Sequence, residues 1–275
     1  MFIKKYFNKF TVLIVILSIG LTACRSEYQK VLKGNDIPKK YELAKKYYNE
    51  KDYFRALELL DELVNIYRGS EEAETIYYYY AYCHYGLKDL ISAQFHFKNF
   101  AEMYPRSKYA EECRYMNAYC YYLESPEYSL DQDNTYKAIE AMQLFINMYP
   151  KSERVQECNT IIDRLRDKLE TKSYKNAVLY YNIGDYKAAI FAFRNSINDF
   201  PDSRYREEME FLTLKSSFLY AKMSIDEKKS ERFLESRDYY QTFVDSYANS
   251  KYLKEAQEIN KNINIELESL NKKSK

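Results

Sequence analysis

The decapeptide MYPRSKYAEE at residues 103–112 decides the fold, because related decapeptides recur along the chain. MYPKSERVQE stands at 148–157 and DFPDSRYREE at 199–208, with weaker copies at 66–75 (IYRGSEEAET) and 246–255 (SYANSKYLKE). The serines of the five copies, at positions 70, 107, 152, 203 and 250, are 37, 45, 51 and 47 residues apart. Periods of this length are typical of arrays of helical hairpins.

Each copy has the features of a joint between two helices. Its serine can accept a hydrogen bond from a free backbone N–H where a helix begins, and acidic residues in the following turn, such as Glu111 and Glu207, favour the positive end of the helix dipole. The proline of the three stronger copies marks the point where the preceding helix must end. Composition agrees, since 275 residues include only 5 Gly and 5 Pro, which favours long helices over a loop-rich β architecture.

A register of small residues marks the two helices of each hairpin. First-helix alanines are followed by second-helix alanines, and a large apolar residue comes four positions after each of the latter. The first-helix set is Ala44, Ala81, Ala118 and Ala177; the second-helix set is Ala56, Ala93, Ala138 and Ala189; the large set is Leu60, Phe97, Met142 and Phe193. This register resembles the tetratricopeptide repeat. A degenerate fifth copy has Phe233, Ser236, Tyr240, Phe243 and Tyr247 in the corresponding positions. The sequence therefore predicts an all-α, tetratricopeptide-repeat-like α-solenoid of five helical hairpins.

The first residues have the pattern of a bacterial lipoprotein signal. Three lysines precede an apolar stretch at 10–21, which is too short to span a bilayer comfortably, and the stretch ends in Leu-Thr-Ala before Cys24. This ending resembles a lipobox, so we predict a signal peptide at 1–23, lipidation of Cys24 and a tether at 24–38. The resemblance implies more than one acyl chain, as stable anchoring requires. The alternative is an ordinary secretory signal with a chance cysteine.

The charge balance excludes one class of partner. The chain has 42 Lys+Arg against 41 Asp+Glu, and removal of the three signal lysines leaves 39 against 41. No basic excess exists for nucleic-acid binding. Arg25, Ser26 and Glu27 do not form the acidic run that resembles a surface-export signal. The predicted location is therefore the outer membrane, with the body lipid-anchored and facing the periplasm.

Tyrosine dominates the face on which a ligand is expected. In repeats of this type, the positions three before and four after the first alanine point into the inner groove, and four hairpins have tyrosine at both. With the tyrosines that follow Ala81 and Ala118, the predicted substrate-peptide groove of the first three hairpins consists of Tyr41, Tyr48, Tyr78, Tyr82, Tyr85, Tyr115, Tyr119 and Tyr122; the fourth hairpin adds Tyr174 and Tyr181. Such rings offer apolar area and a hydroxyl at low entropy cost, which suits extended peptides. The alternative is that they only pack between adjacent helices.

The other reactive residue types give no catalytic pattern. Cys83, Cys113, Cys120 and Cys158 occur at repeat-equivalent positions, which favours small core thiols over disulfides. The chain has two histidines and no C-x₂-C pair, so neither a metal site nor a cofactor is predicted. No G-x-S-x-G, H-E-x-x-H or P-loop string is present. We expect the protein not to be an enzyme.

A family resemblance becomes specific in the third hairpin. There the separation of the two alanines grows from 12 to 20 residues through LESPEYSLDQDNTYKAI at 123–139. Together with the lipobox and the five hairpins, this insertion resembles the BamD family of outer-membrane β-barrel assembly lipoproteins, in the form found among Bacteroidota.

The resemblance implies a division of labour along the chain. Repeats one to three, residues 39–169, are expected to receive unfolded barrel precursors, often through a C-terminal signal that ends in an aromatic residue. Repeats four and five, residues 170–268, are expected to dock on a BamA-like barrel protein with other assembly-complex subunits. A polar tail follows at 269–275.

Two other function classes use similar repeats. An adaptor of another envelope machine, either Tol–Pal or peptidoglycan-associated, is the first alternative. An N-terminal coiled coil would favour it, and residues 25–40 show no heptad. A glycan-capturing lipoprotein is the second, but it would normally need a longer chain with large inserted loops.

Overall fold

The computed structural model describes residues 27–273, and within them the regular secondary structure is helical. A short helical stretch at 27–33 precedes eleven longer helices. These are α1 (Ile37–Asn49), α2 (Tyr53–Ile66), α3 (Ala73–Gly86), α4 (Leu90–Met103), α5 (Ala110–Glu124), α6 (Asp133–Met148), α7 (Val155–Asn182), α8 (Tyr186–Asp199), α9 (Arg206–Lys222), α10 (Asp226–Ser246) and α11 (Leu253–Lys273). The predicted all-α class with helical hairpins is confirmed.

The chain divides into two compact units. Among the described residues, unit 1 contains 27–125 and 133–162, and unit 2 contains 126–132 and 163–273. The boundary between residues 162 and 163 falls inside α7. In unit 1 each helix from α1 to α5 packs against the next one, and in unit 2 the same holds for α8 to α10.

The predicted register of small and large residues is confirmed in the cores. All eight register alanines have no exposed surface, and neither do the four large residues that follow the second alanines. In unit 1 the first hairpin buries Leu59, Leu60 and Leu63 against Ile76 of α3. In unit 2 one cluster centres on Phe193, and another joins Phe233 and Phe243 to α11. Small residues let each pair of helices approach, and the large residue fills the space beside them.

Every joint serine caps a turn that leads into a helix. Its side-chain oxygen accepts the backbone N–H two residues later, and its carbonyl accepts the N–H three residues later. The donors to the side chains are the N–H groups of Glu72, Tyr109, Arg154, Tyr205 and Tyr252, at 3.1, 3.2, 3.2, 3.0 and 2.9 Å. The helix begins three residues after the serine. The serine therefore shapes the approach to the helix, and the N-cap position itself comes two residues after the serine.

Aspartate performs the capping inside three hairpins. Asp52, Asp89 and Asp185 each accept the backbone N–H of the residue three positions later, at 3.2, 3.2 and 3.0 Å. These bonds satisfy N–H groups that the first turn of α2, α4 and α8 leaves free. The residue before each aspartate has a positive φ: Lys51 at 60°, Lys88 at 64° and Gly184 at 82°.

The insertion of the third hairpin is ordered around polar side chains. α5 ends at Glu124, and the hydroxyls of Ser125 and Thr135 are 2.6 Å apart. In the part assigned to unit 2, the Gln132 side chain is buried and donates to the carbonyl of Glu127 at 2.8 Å. Lys172 Nζ donates to the carbonyl of Leu130 at 2.6 Å.

Candidate functional site

The eight tyrosines of the predicted groove, called the tyrosine ladder below, lie on three helices of unit 1. α1 carries the first two, and α3 and α5 carry three each. Within a helix they are three, four or seven residues apart, a spacing that places side chains on one face. Seven of the eight are partly exposed, and Tyr115 is only 3% exposed.

The first hairpin begins the ladder. The Tyr41 ring contacts the Tyr67 ring at 5.6 Å between centroids, and the Lys45 ammonium lies 4.5 Å from the Tyr41 centroid. Tyr48 stacks on Tyr79 at 4.2 Å, with 27° between the ring planes. Tyr79 also touches Tyr78 at 6.1 Å. Ring contacts therefore continue from the first hairpin into the second.

The second hairpin combines ring contacts with a carboxylate. Tyr78 stacks on Tyr109 at 4.2 Å and contacts Tyr82 at 4.7 Å. The Tyr82 hydroxyl donates to Glu112 Oε1 at 2.5 Å, and its ring meets Phe97 edge-on at 4.9 Å. Tyr82 is therefore held on two sides, while Tyr85, 6.2 Å from it, has only ring neighbours and the ammonium of Lys88.

The third hairpin contains the buried member of the ladder. The guanidinium of Arg154 lies 4.0 Å from the Tyr115 centroid and also donates to Glu112. Tyr119 stacks on Tyr115 at 5.6 Å, and Tyr122 follows Tyr119 at 5.7 Å. Tyr115 is therefore buried as a packing residue, whereas Tyr119 and Tyr122 keep exposed ring surface.

Burial affects how the hydroxyls can recognise a ligand. Desolvation raises the pKa of Tyr78 to about 12 and also raises the pKa values of Tyr48, Tyr82 and Tyr115. For Tyr82 and Tyr115, hydrogen bonds to Glu112 and Glu157 act in the same direction. These four hydroxyls stay neutral across physiological pH, so the four side chains offer hydrogen bonds and apolar area but no negative charge.

A contact that the sequence analysis missed recurs at four joints. The residue two positions after the joint serine packs on an aromatic residue in the first helix of the preceding hairpin. In the first three pairs below, this aromatic residue lies three positions before the first-helix alanine, and in the fourth it lies three before Leu214. We call this contact the joint clamp. Its pairs are Tyr78–Tyr109 at 4.2 Å, Tyr115–Arg154 at 4.0 Å, Tyr174–Tyr205 at 4.1 Å and Phe211–Tyr252 at 4.5 Å. The fixed spacing from the serine was the available signal for these partners.

The two further predicted tyrosines lie in unit 2. Tyr174 is 7% exposed and lies flat on Tyr205, with 1° between the ring planes. Tyr181 is partly exposed, 5.9 Å from Tyr186. Tyr174 therefore serves mainly as a packing residue of unit 2.

Unit 2 has a groove of its own, about 170 Å³ in volume, lined by α8, α9 and α10. Arg194 donates to the Tyr239 hydroxyl at 3.2 Å on one side of it. Glu210 lines the other side, where its Oε1 accepts from Arg206 Nε at 3.0 Å and its buried Oε2 has no hydrogen-bond partner. The groove is therefore lined by a cation, Arg194, and by a glutamate whose second oxygen is buried and has no hydrogen-bond partner among the described residues.

The described residues also bear on the predictions about cysteines, metals and membrane spans. Cys83, Cys113, Cys120 and Cys158 are free and buried, as the structural-thiol interpretation expects. Burial raises the pKa of Cys83 and Cys120 to about 12 and that of Cys158 to about 11, and it also raises that of Cys113.

Between residues 27 and 273, no group of three His, Cys, Asp or Glu side chains is arranged to hold a metal. No helix in that range is long and apolar enough to cross a membrane. Cys24 and the predicted signal peptide lie outside the described residues.

Comparison with known proteins gives the class first. The model of an outer membrane lipoprotein family matches residues 35–232, which covers most of the helical hairpins. The chain belongs to this family, YfiO, and the predicted BamD-like family is thereby confirmed. Family membership associates the chain with the outer membrane.

The other comparisons add little. No match was found among curated proteins. Among solved structures, kinesin-light-chain-type TPR-like repeats from Podosopora anserina are 11% identical, with a TM-score of 0.33, and cover 75% of this chain and 95% of theirs. A second structure of such repeats has the same identity and score. These scores are too low to carry an argument, and the fold is defined by the helices themselves.

Proposed function

We propose that the protein is a scaffold and substrate-recognition lipoprotein of the outer-membrane β-barrel assembly machinery. It is anchored through lipid on Cys24, faces the periplasm, and works without catalysis or a cofactor. Membership of the outer membrane lipoprotein family over residues 35–232 carries this proposal. The finer resemblance, to the Bacteroidota form, belongs to the same proposal and depends on the insertion at 123–139.

The tyrosine ladder is the proposed receptor for unfolded barrel precursors. Seven partly exposed rings on three successive first helices offer a surface for an extended segment with aromatic side chains. Tyr85, Tyr119 and Tyr122 are the best candidates for direct contact, because each keeps exposed ring surface and none makes the carboxylate bond that holds Tyr82. Each such contact contributes about 0.5–1.5 kcal/mol, so binding is weak and reversible.

The groove of unit 2 is the proposed docking surface for a BamA-like partner. Glu210 Oε2 is buried and has no hydrogen-bond partner among the described residues, so docking would require the Glu210 side chain to turn toward the groove and accept a donor of the partner there. Arg194 at the same groove would take a carboxylate.

Precursor recognition is tested with a fluorescent peptide that copies the C-terminus of a barrel protein. We expect the variant Tyr85→Ser/Tyr119→Ser/Tyr122→Ser to bind it at least tenfold more weakly, about 1.4 kcal/mol or more. Tyr136→Ser is the matched control, because Tyr136 is 60% exposed on α6 and is not part of the ladder. Unchanged binding by a folded triple variant would remove the receptor role.

The assembly role is tested by affinity capture of tagged protein from detergent-solubilised outer membrane. We expect stoichiometric recovery of a large protein with periplasmic transport repeats and a C-terminal barrel. Glu210→Gln should weaken this recovery while helicity stays unchanged. Recovery of Tol–Pal or peptidoglycan-associated proteins without such a barrel would favour the adaptor alternative.

A further inference from the structure

Exposed apolar side chains gather where the first two hairpins of unit 1 turn. Phe54 at the start of α2 is 61% exposed, and Ile91 at the start of α4 is 67% exposed. Leu87 lies in the second turn and is 40% exposed. Each turn also carries an exposed lysine, Lys51 or Lys88. We call these five residues the turn edge.

The two turns form one continuous edge. The ring of Tyr53, the first residue of α2, lies directly against Gly86, the last residue of α3, so closely that a Cβ on Gly86 would come within 2.2 Å of it. Tyr48, near the end of α1, touches Tyr53 at 6.0 Å. The start of α2 and the end of α3 are therefore in contact, which brings the two turns side by side.

The N-terminal part of the chain approaches this edge. Tyr28 is buried, its hydroxyl donates to Glu58 of α2, and its ring meets Tyr47 in the last turn of α1 at 5.6 Å. Glu27 lies 3.9 Å from the ammonium of Lys39. Glu27 is three positions after Cys24 in the sequence, a span of at most about 11 Å. The predicted lipid-bearing residue, Cys24, is therefore only a few residues along the chain from Tyr28, which contacts the last turn of α1 next to the first turn of the turn edge.

The charges of the edge suit a phospholipid surface. Asp52 is paired with Arg55. Asp89 shares a hydrogen bond with His84 but is exposed, so Asp89 and Glu50 are the acidic groups at the edge, against the three exposed lysines Lys46, Lys51 and Lys88. Lysines flanking aromatic and aliphatic side chains place ammonium groups at lipid phosphates and carbon chains at the interface.

We propose that the turn edge lies against the phospholipid leaflet that holds the acyl chains of Cys24. Unit 1 then meets the membrane at two points, the anchor and the edge, and its first two hairpins are oriented by them. The proposal rests on the lipid anchor of the proposed function. It adds an oriented contact that the anchor alone does not require.

The test places a fluorophore at single positions of the full lipidated chain in vesicles of phosphatidylethanolamine and phosphatidylglycerol that contain nitroxide-labelled lipid. Variants Phe54→Cys and Ile91→Cys report on the edge. Ile66→Cys and Met103→Cys are matched controls on the same two helices, 48% and 49% exposed and twelve residues further along, or about 18 Å. The four native thiols of the hairpins are buried, so the introduced cysteine is labelled selectively.

We expect lipid quenching at positions 54 and 91 to be about threefold or more above that at 66 and 103. The added pair Lys51→Gly/Lys88→Gly should reduce this difference, because it removes two positive charges and leaves the turn conformation allowed. Equal or reversed quenching in an anchored chain would overturn the edge contact and leave the proposed function standing. Absence of acyl mass on Cys24 would overturn the anchor and the edge contact together, while partner capture would test the assembly role separately.

Discussion

The joint clamps of the two units use the same geometry with different chemistry. In unit 2, Tyr174–Tyr205 and Phe211–Tyr252 are parallel ring stacks at 4.1 and 4.5 Å. In unit 1, Tyr78–Tyr109 is also a ring stack, at 4.2 Å, but the clamp on Tyr115 is a guanidinium at 4.0 Å, and Arg154 also donates to Glu112. The serine turn fixes the position of the residue two places after the serine. Either an aromatic ring or a guanidinium at that position can then pack on the aromatic ring of the preceding hairpin.

The difference concentrates polar linkage in unit 1. Glu112 accepts from Tyr82 of α3 and from Arg154 at the start of the fourth hairpin, so one carboxylate connects three elements of that unit. In unit 2, Glu208 reaches the Tyr174 hydroxyl and has no arginine bound to it in this arrangement. Unit 1 should therefore be more sensitive to charge removal, salt and pH than unit 2.

The largest expected effect tests this difference through the two glutamates. Glu112→Ala should lower the free energy of unfolding by about 2 kcal/mol, because it leaves Arg154 and the Tyr82 hydroxyl without their acceptor in a site that is about two-thirds buried. Glu208→Ala should cost about 1 kcal/mol or less, since one neutral hydroxyl loses a partner. Urea unfolding of both variants gives the two values.

Salt provides the control for this pair of variants. High salt should narrow the gap between wild type and Glu112→Ala and leave the Glu208→Ala value almost unchanged. Equal losses for the two variants would mean that the ionic clamp adds nothing to what ring stacking provides.

The second effect uses the two histidines, which both belong to unit 1. His84 and His96 stack at 4.9 Å between ring centroids, and Tyr77 lies 3.3 Å from His96 Nδ1. Burial, helped by the neighbouring His84, lowers the pKa of His96 to about 4. Because the folded state holds His96 neutral, its contribution is complete above pH 6.5 and is lost progressively as the pH falls from 6.5 towards 4.

Unit 1 should therefore lose stability on mild acidification by about 1 kcal/mol, a figure reduced for the partial exposure of His96. Hydrogen-exchange protection should fall in α3 and α4 between pH 7 and pH 5 more than in α8 and α9. His96→Gln should abolish most of the difference. A fall of the same size in both units would assign it to their carboxylates instead.

The sequence predicted the helical framework well, for reasons visible in the packing. In the second helix of four hairpins, a small residue is followed four positions later by a large apolar residue, which places both on one face of the helix. Ala93 and Phe97 are an example, and both are fully buried. The serine joints were equally clear, although the helix begins three residues after the serine. These features depend on neighbours close in the chain, which a period can reveal.

The depth of each tyrosine could not be predicted in the same way. Helical spacing places Tyr115 and Tyr119 on one face, but Tyr115 is buried by residues distant in the sequence, Phe145 and Arg154, while Tyr119 stays partly open. The burial of Tyr28 and Val31, inside the predicted tether, likewise depends on contacts with α1 and α2. Binding by the ladder stays a prediction that the peptide experiment decides.

The smallest effect compares the turns inside the hairpins of the two units. Lys88 in unit 1 and Gly184 in unit 2 occupy the same position before the capping aspartate, at φ values of 64° and 82°. Residues with a Cβ rarely adopt this backbone conformation, whereas glycine adopts it without strain. Glycine also increases the conformational entropy of the unfolded state, which partly offsets this advantage. We expect Lys88→Gly to stabilise the protein and Gly184→Lys to destabilise it, each by about 0.5 kcal/mol.

Space at Gly184 makes this comparison a conformational one. A Cβ there would meet no heavy atom within 4 Å, so the loss in Gly184→Lys comes from the backbone and not from a clash. Gly86→Ala is the contrasting control, since its Cβ would strike the Tyr53 ring and should cost more than either turn variant. If Lys88→Gly lowers the urea midpoint in solution, the lysine stabilises its turn by contacts of its own, such as that with the Tyr85 ring, and charge at the edge has a structural reason apart from lipid. If it raises the midpoint, Lys88 in its left-handed conformation lowers the stability of the protein. A residue that lowers stability at an exposed position is expected where the surface binds a ligand.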